Sequence, residues 1–184
     1  MGGEIAMFIR TQRLLLRPPW PEDLHAIAKG IGEFAVSRNL ARVPYPYDAE
    51  AGREWLMKPF DAHMPALLMT LPGRDGAPVI GGIGYGPRDD HDELELGYWI
   101  AQTHWGQGYA TEAANALVEH ARMAGVKRLD AGHFADNPAS GRVLQKAGFV
   151  PTGQTEQRFS LARGEEVPSV KYVLELEDSL PAAA

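Results

Sequence analysis

The chain has 184 residues, 45% hydrophobic and 23% charged, which is the balance of a soluble globular protein with length for one self-sufficient core. It has no cysteine, which excludes disulfides and thiolate metal sites and fits a reducing cytosol. A net charge of −6 argues against a general nucleic-acid binder, no apolar run approaches the ~20 residues that span a bilayer, and no export signal opens the sequence.

Met1–Ala6 carry no pattern, so residues 1–10 are expected to be an N-terminal extension. Arg13–Arg17 is a short apolar run stopped by Pro18 and Pro19, and predicts a first strand. Pro21 suits the first turn of a helix, with Glu22 and Asp23 near its positive end and Leu24, Ile27 and Ala28 on one face. That helix should end near Gly30. A second, short helix is expected over Glu33–Leu40, followed by the stiff segment Pro44-Tyr45-Pro46-Tyr47. Asp48 then reads as the N-cap of a third helix, Ala49–Phe60, with Trp55 and Leu56 inward.

From Pro65 the period changes to that of strands. Ala66–Leu71, Val79–Tyr85 and Leu94–Ala101 are three apolar runs joined by Pro/Gly/Asp turns, and they predict an antiparallel meander. The third run leads through Gln102-Thr103-His104 into the glycine turn Trp105-Gly106-Gln107-Gly108. Ala110, Ala113, Ala114, Leu117, Val118 and Ala121 then mark a helix with one apolar face, stopped by Gly125. Val126–Phe134 is a strand, and the strand–helix–strand connection makes it a parallel neighbour of Leu94–Ala101. Asn137 and Pro138 open a helix carrying Ser140, Val143, Leu144 and Ala147 on one face and ending at Gly148. Two last strands, Phe149–Leu161 and Val170–Leu176, flank the Ala162-Arg163-Gly164 turn. The whole is α/β, with one domain over residues 11–177 and a tail over 178–184.

A strand, a glycine turn and a helix aim unpaired backbone N–H groups at an anion. Gly106 and Gly108 would let a phosphate approach the backbone closely. The turn is not a Walker loop, since no Gly-Lys-Ser/Thr follows, and Thr111 breaks the dinucleotide fingerprint. By itself this spacing fits an ordinary strand-to-helix turn equally well.

Several motifs in one order are more specific. Gly97-Tyr98-Trp99-Ile100, then Trp105-Gly106-Gln107-Gly108-Tyr109-Ala110-Thr111, then Asn137-Pro138-Ala139-Ser140 with Lys146-Ala147-Gly148-Phe149, resemble the GNAT superfamily of acetyl-CoA-dependent N-acetyltransferases. With Thr11–Pro18 and Pro44-Tyr45-Pro46, the resemblance is nearest the Rim-type branch of ribosomal-protein N-acetyltransferases. It implies a GNAT-like single domain, with a mixed, mostly antiparallel central sheet splayed at the cofactor site and flanked by helices. It implies acetyl-CoA as co-substrate and an amine acceptor, either a protein N-terminus or a small molecule.

The superfamily pattern Gln/Arg-x-x-Gly-x-Gly/Ala maps onto Trp105–Ala110, with Trp105 departing from Gln/Arg. The resemblance then assigns the pyrophosphate to the amides of Gln107, Gly108, Tyr109, Ala110 and Thr111. It assigns the pantetheine arm to the main chain of Trp99, Ile100 and Ala101 and to Asn137, and the leaving sulfur to Ser140. Asn137 is also a plain N-cap, and Ser140 could equally be a helix-start serine bonded to Asn137.

For a general base, Glu95 ranks first, on the strand face opposite Leu94, Leu96 and Tyr98; Glu93 and His133 are the other candidates. Tyr98, Trp99 and Trp105 read as core or wall. The six histidines form no His-x-x-x-His or carboxylate cluster, so no metal is expected. No nucleic-acid or membrane partner is expected, and monomer and oligomer are both open. A catalytically silent acyl-CoA-binding module is the alternative to an enzyme.

Overall fold

The computed structural model describes residues 7–57, 61, 63–88 and 91–176. Its strands are β1 (Ile9–Arg10), β2 (Leu15–Arg17), β3 (Ala66–Thr70), β4 (Val79–Arg88), β5 (His91–Ile100), β6 (Arg128–Phe134), β7 (Val150–Ser160) and β8 (Glu165–Glu175). They form one sheet in the order β1-β2-β3-β4-β5-β6-β8-β7. Every neighbouring pair is antiparallel except β5 and β6, the pair joined by a helical crossover. The meander and the parallel neighbour expected from the sequence are both present.

The helices are α1 (Leu24–Ile31), α2 (Phe34–Ser37), α3 (Ala49–Leu56), α4 (Tyr109–Met123) and α5 (Pro138–Lys146). Strand alternation divides the core into two. Leu67, Met69, Leu96 and Ile100 face the cluster that holds the buried residues of α4 and α5. Leu68 and Trp99 face the opposite cluster, with Ile27, Ile31 and Val36 from α1 and α2. The alanines of α4 let it lie close on the sheet: Ala113, Ala114, Leu117 and Ala121 are all fully buried. On the other face a groove of glycines receives the Trp99 indole. A Cβ on Gly30 would come within 2.7 Å of that ring, and one on Gly82 within 2.6 Å.

Boundaries differ from the sequence expectation where turns are tighter than composition suggests. The first strand begins at Leu15, not Arg13, because Thr11–Leu14 closes a turn. The Thr11 N–H donates to the Leu14 carbonyl at 3.0 Å, and the Leu14 N–H to the Thr11 hydroxyl at 2.9 Å. That reversal brings Ile9 and Arg10, assigned above to the extension, into the sheet. β4 and β5 extend through the expected 87–92 turn and pair to Arg88 and His91. β8 begins five residues before Val170, because the hairpin closes at once: the Gly164 N–H donates to the Ser160 carbonyl at 2.8 Å.

Asp48 caps α3 as expected, accepting from the Glu50 and Ala51 N–H groups. The expected end of that helix at Phe60 lies outside the described residues, as do residues 1–6 and the tail 178–184.

Candidate active site

The site begins where two strands part. β5 and β6 pair only at Glu95 with Asp130 and at Leu96 with Ala131. Beyond Ala131, β6 stays with β8 as far as Phe134, while β5 stays with β4 as far as Ile100. A cleft therefore opens between them along Gly97–Ile100.

The register states which backbone groups face it. The Ala101 N–H donates to the Ile80 carbonyl at 2.9 Å, so Ala101 belongs to the ladder with β4. Antiparallel ladders alternate, so the N–H and C=O of Trp99 and Gly97 also turn to β4. Those of Tyr98 and Ile100 turn the other way, into the cleft. The main chain of Trp99 and Ala101, expected from the resemblance to meet the cofactor arm, is thus turned to β4 instead of the cleft. The Ile100 carbonyl is already taken, accepting from the Trp105 indole N–H at 2.7 Å. What remains at the cleft is the Ile100 N–H and both groups of Tyr98.

At the wide end of the cleft stands α4. Its N-cap, Gly108, has φ +81° and offers no side chain to the first-turn N–H groups, whereas α3 and α5 are capped by Asp48 and Asn137. Gly106 is also left-handed, at φ +72°, and a Cβ there would meet nothing within 4 Å. The first-turn donors of α4, on Tyr109, Ala110 and Thr111, are thus left open for an anion that the helix end favours.

Arg13 lies against this turn. Its Nη1 donates to the Gln107 carbonyl at 2.9 Å and its Nε to Glu112 at 2.6 Å, with the guanidinium 4.5 Å from the centroid of the Tyr109 ring. Burial pushes the Glu112 carboxyl up, but hydrogen bonds from Thr11 and Arg13 more than reverse this and hold it below its ordinary value.

On the narrow side stands the start of α5. Asn137 accepts from the Ser140 N–H at 3.4 Å, so it is the expected N-cap. The Ser140 hydroxyl does not bond back to Asn137. It lies 2.7 Å from the Tyr98 hydroxyl, with either oxygen able to donate, and the Ser140 carbonyl at 3.3 Å is the longer alternative acceptor for the one Tyr98 proton. Burial pushes the Tyr98 phenol up to about 12, against the opposing effect of Ser140. Tyr98 therefore keeps its proton at neutral pH. When it donates to the Ser140 oxygen, the Ser140 proton is left for a third group.

The turn before α5 is clamped: Arg163 forks Asp136 at 2.8 and 2.9 Å, and Arg38 reaches the same carboxylate at 2.7 Å.

The three candidate bases fare differently. Glu95 is 88% buried, with Oε1 2.6 Å from Arg158 and Oε2 3.4 Å from Arg88. Oε1 accepts from Arg158, whereas Oε2 has no hydrogen-bond partner among the described residues and is buried beside Arg88, out of reach of an incoming ammonium as the side chains stand. Glu95 lines a small charged pocket together with Arg88, Asp130, Glu156, Arg158 and Lys171. His133 turns under α5 instead of into the cleft, its ring tilted against that of Tyr172 at 5.5 Å between centroids and filling the space beneath Gly141. Glu93 is a solvated strand residue. None of the three is presented to the cleft as a free base.

The glycine turn, Asn137 and Ser140, expected from the sequence, all border this cleft. Two further side chains border it: Tyr98, read from the sequence as core or wall, and Arg13, assigned there no role beyond the first strand. The spacing of Leu94, Leu96 and Tyr98 on one strand face, the face of α5, was a signal for Tyr98. Nothing local signals Arg13, because its partners lie about a hundred residues away.

The model of the acetyltransferase (GNAT) domain matches residues 13–150. An uncharacterized N-acetyltransferase of Bacillus subtilis, YoaA, is 38% identical over 86 residues, 46% of this chain and 49% of that protein, so the match spans about half its length. An acetyltransferase (GNAT family) from Bacillus anthracis superposes with a TM-score of 0.78 at 22% identity, covering 92% of this chain and 98% of that one. RimL, a ribosomal L7/L12 alpha-N-protein acetyltransferase in complex with coenzyme A, superposes with a TM-score of 0.76 at 18% identity, covering 94% and 100%.

Proposed function

The chain belongs to the GNAT acetyltransferase family, and on that premise we propose that it is an N-acetyltransferase moving acetyl from acetyl-CoA to a primary amine by direct attack in a ternary complex. One observation carries the reading: an uncapped helix N-terminus, an unpaired strand edge and a hydroxyl pair line one cleft. The amides of Gln107 to Thr111 fit a pyrophosphate. The outward main chain of Tyr98 and Ile100 fits an extended amide-bearing arm added as a strand, and the side-chain N–H₂ of Asn137 is left to assist.

The chemistry asks little more of the chain. A neutral amine attacks the thioester carbonyl, a C–N bond forms, the C–S bond breaks and one amine proton is lost. The Tyr98 N–H, pointing into the cleft, suits the developing oxyanion. The Ser140 hydroxyl, backed by Tyr98, suits the departing thiolate. With Glu95 Oε2 buried and His133 turned under α5, the amine proton leaves to water. Phe34 and Tyr45, both exposed, with tilted rings 4.9 Å apart between centroids, are the wall proposed for the acceptor. The acceptor is a protein N-terminus or a small-molecule amine, and the compartment is the cytoplasm. Among the described residues no helix is long and apolar enough to cross a membrane.

The test is thiol release from acetyl-CoA with a panel of polyamines, amino acids and N-terminal peptides. Release with any one class supports the enzyme and names its acceptor. Binding of acetyl-CoA with no release on any acceptor would mean a silent acyl-CoA-binding module. Thermal stabilisation by ATP or NAD equal to that by acetyl-CoA would remove the cofactor assignment itself.

A further inference from the structure

We propose that Arg13 is the cationic side chain of the phosphate cradle, supplied by the loop before β2 in place of the residue preceding Gly106; this rests on the acetyl-CoA reading above. The superfamily pattern puts Gln or Arg where this chain has Trp105. The Trp105 N–H is spent on the Ile100 carbonyl, so that position has no donor for a ligand. Arg13 arrives at the same turn from the other end of the chain. Its main-chain N–H and Nε hold both oxygens of Glu112, at 2.7 and 2.6 Å, and Nη1 holds the Gln107 carbonyl. Nη2 makes no hydrogen bond among the described residues. It lies 3.4 Å from where a Cβ on Gly108 would sit, against the uncapped turn. The side chain remains 43% exposed, so a ligand can reach it.

The charges require such a group. Glu112 lies in the first turn of α4, where its carboxylate opposes a phosphate at the helix end. Arg13 neutralises that carboxylate and leaves one arm of a planar fork, the geometry suited to phosphate oxygens. Its loss would remove a donor and uncover Glu112 at once.

The experiment compares two thioesters, acetyl-CoA and S-acetylpantetheine, which lacks the phosphates. Arg13→Gln is expected to raise KM for acetyl-CoA about tenfold, with KM for S-acetylpantetheine and kcat within about twofold of the parent. Arg13→Lys, which keeps the charge but not the fork, should fall between, and serves if the glutamine variant does not fold. Adding Glu112→Gln to Arg13→Gln should recover part of the loss by removing the repulsion.

Equal rises for both thioesters, or no rise for acetyl-CoA, would reduce Arg13 to a clamp between the loop and α4. Failure of the parent protein to turn over or bind either thioester would instead sink the acetyl-CoA reading.

Discussion

The hydroxyl of Tyr98, on β5, lies 2.7 Å from that of Ser140, in the first turns of α5, and the pair joins the two elements that border the cleft. Under the proposed reaction Ser140 faces the departing thiolate, and Tyr98 sets the direction of its proton. Ser140→Ala should lower kcat by about a hundredfold and leave KM for acetyl-CoA nearly unchanged. Tyr98→Phe keeps the ring and its packing, and should lower kcat about tenfold. Because Tyr98 acts through Ser140, the double variant should be no worse than Ser140→Ala alone. Losses that multiply would show that the two hydroxyls act independently. The pH profile adds a check: a phenol raised to about 12 stays protonated, so it should add no limb to kcat below about pH 10.

These two residues show how far the sequence could be read. The glycine turn, the alanine face of α4 and the Asn137-Pro138 helix start are local patterns, each governed by backbone rules acting over a few residues. They were legible, and with them the sheet. Ser140 could be placed on the inward face of its helix, but its partner could not be named, because a distance of 42 residues in sequence carries no periodic signal. Glu95 was legible as a polar residue on a strand, and strand alternation put it on the correct face. Its fate depended on Arg88 and Arg158, one on the preceding strand and one on β7, and only the folded sheet brings these together. Strand ends were also misjudged where a turn closes in two to four residues.

Glu95 gives the second prediction. Glu95→Gln leaves Arg88 and Arg158 around an uncharged amide in a site 12% exposed on the Glu95 side. The cost should be roughly 2–3 kcal/mol, below that of emptying the site, because the amide oxygen still accepts from Arg158. Denaturant titration would measure it. The acidic limb of the kcat/KM profile should survive. Disappearance of that limb in Glu95→Gln, with the fold intact, would restore Glu95 as the general base.

A pH-dependent stability follows from Asp136. Hydrogen bonding and charge from Arg163, joined by the Arg38 charge, outweigh burial and hold its carboxyl below its ordinary value. Between the folded and unfolded values the unfolded chain binds more protons, so stability rises with pH there. The contribution is complete above an ordinary carboxylate value of about 4 and is lost as pH falls through the folded one. Asp136→Asn lacks it throughout. The Tm gap between parent and variant should therefore be widest from neutral pH to about 5 and narrow below about 4. A gap constant from pH 7 to 3 would mean that the clamp holds by shape and not by charge.

The buried pair at the start of the fold is the most demanding case. Arg17, at the end of β2, forks Asp23 with two bonds of 2.7 Å, and the Trp20 N–H adds a third to the same carboxylate. Both side chains are less than 10% exposed, and the guanidinium lies 3.7 Å under the Trp20 ring. The pair fixes the angle at which α1 leaves the sheet. Removing one partner strands a buried charge, so Asp23→Ala should cost about 3–5 kcal/mol, read as a fall in the urea midpoint at unchanged slope. The desolvation cost of the pair itself is what makes the loss large. Replacing both members with apolar residues, Arg17→Met with Asp23→Leu, should therefore recover most of it, since well-packed apolar substitutes for buried ion pairs are often neutral. A double variant no more stable than Asp23→Ala would show that the geometry of the fork, not the orphaned charge, holds β2 to α1.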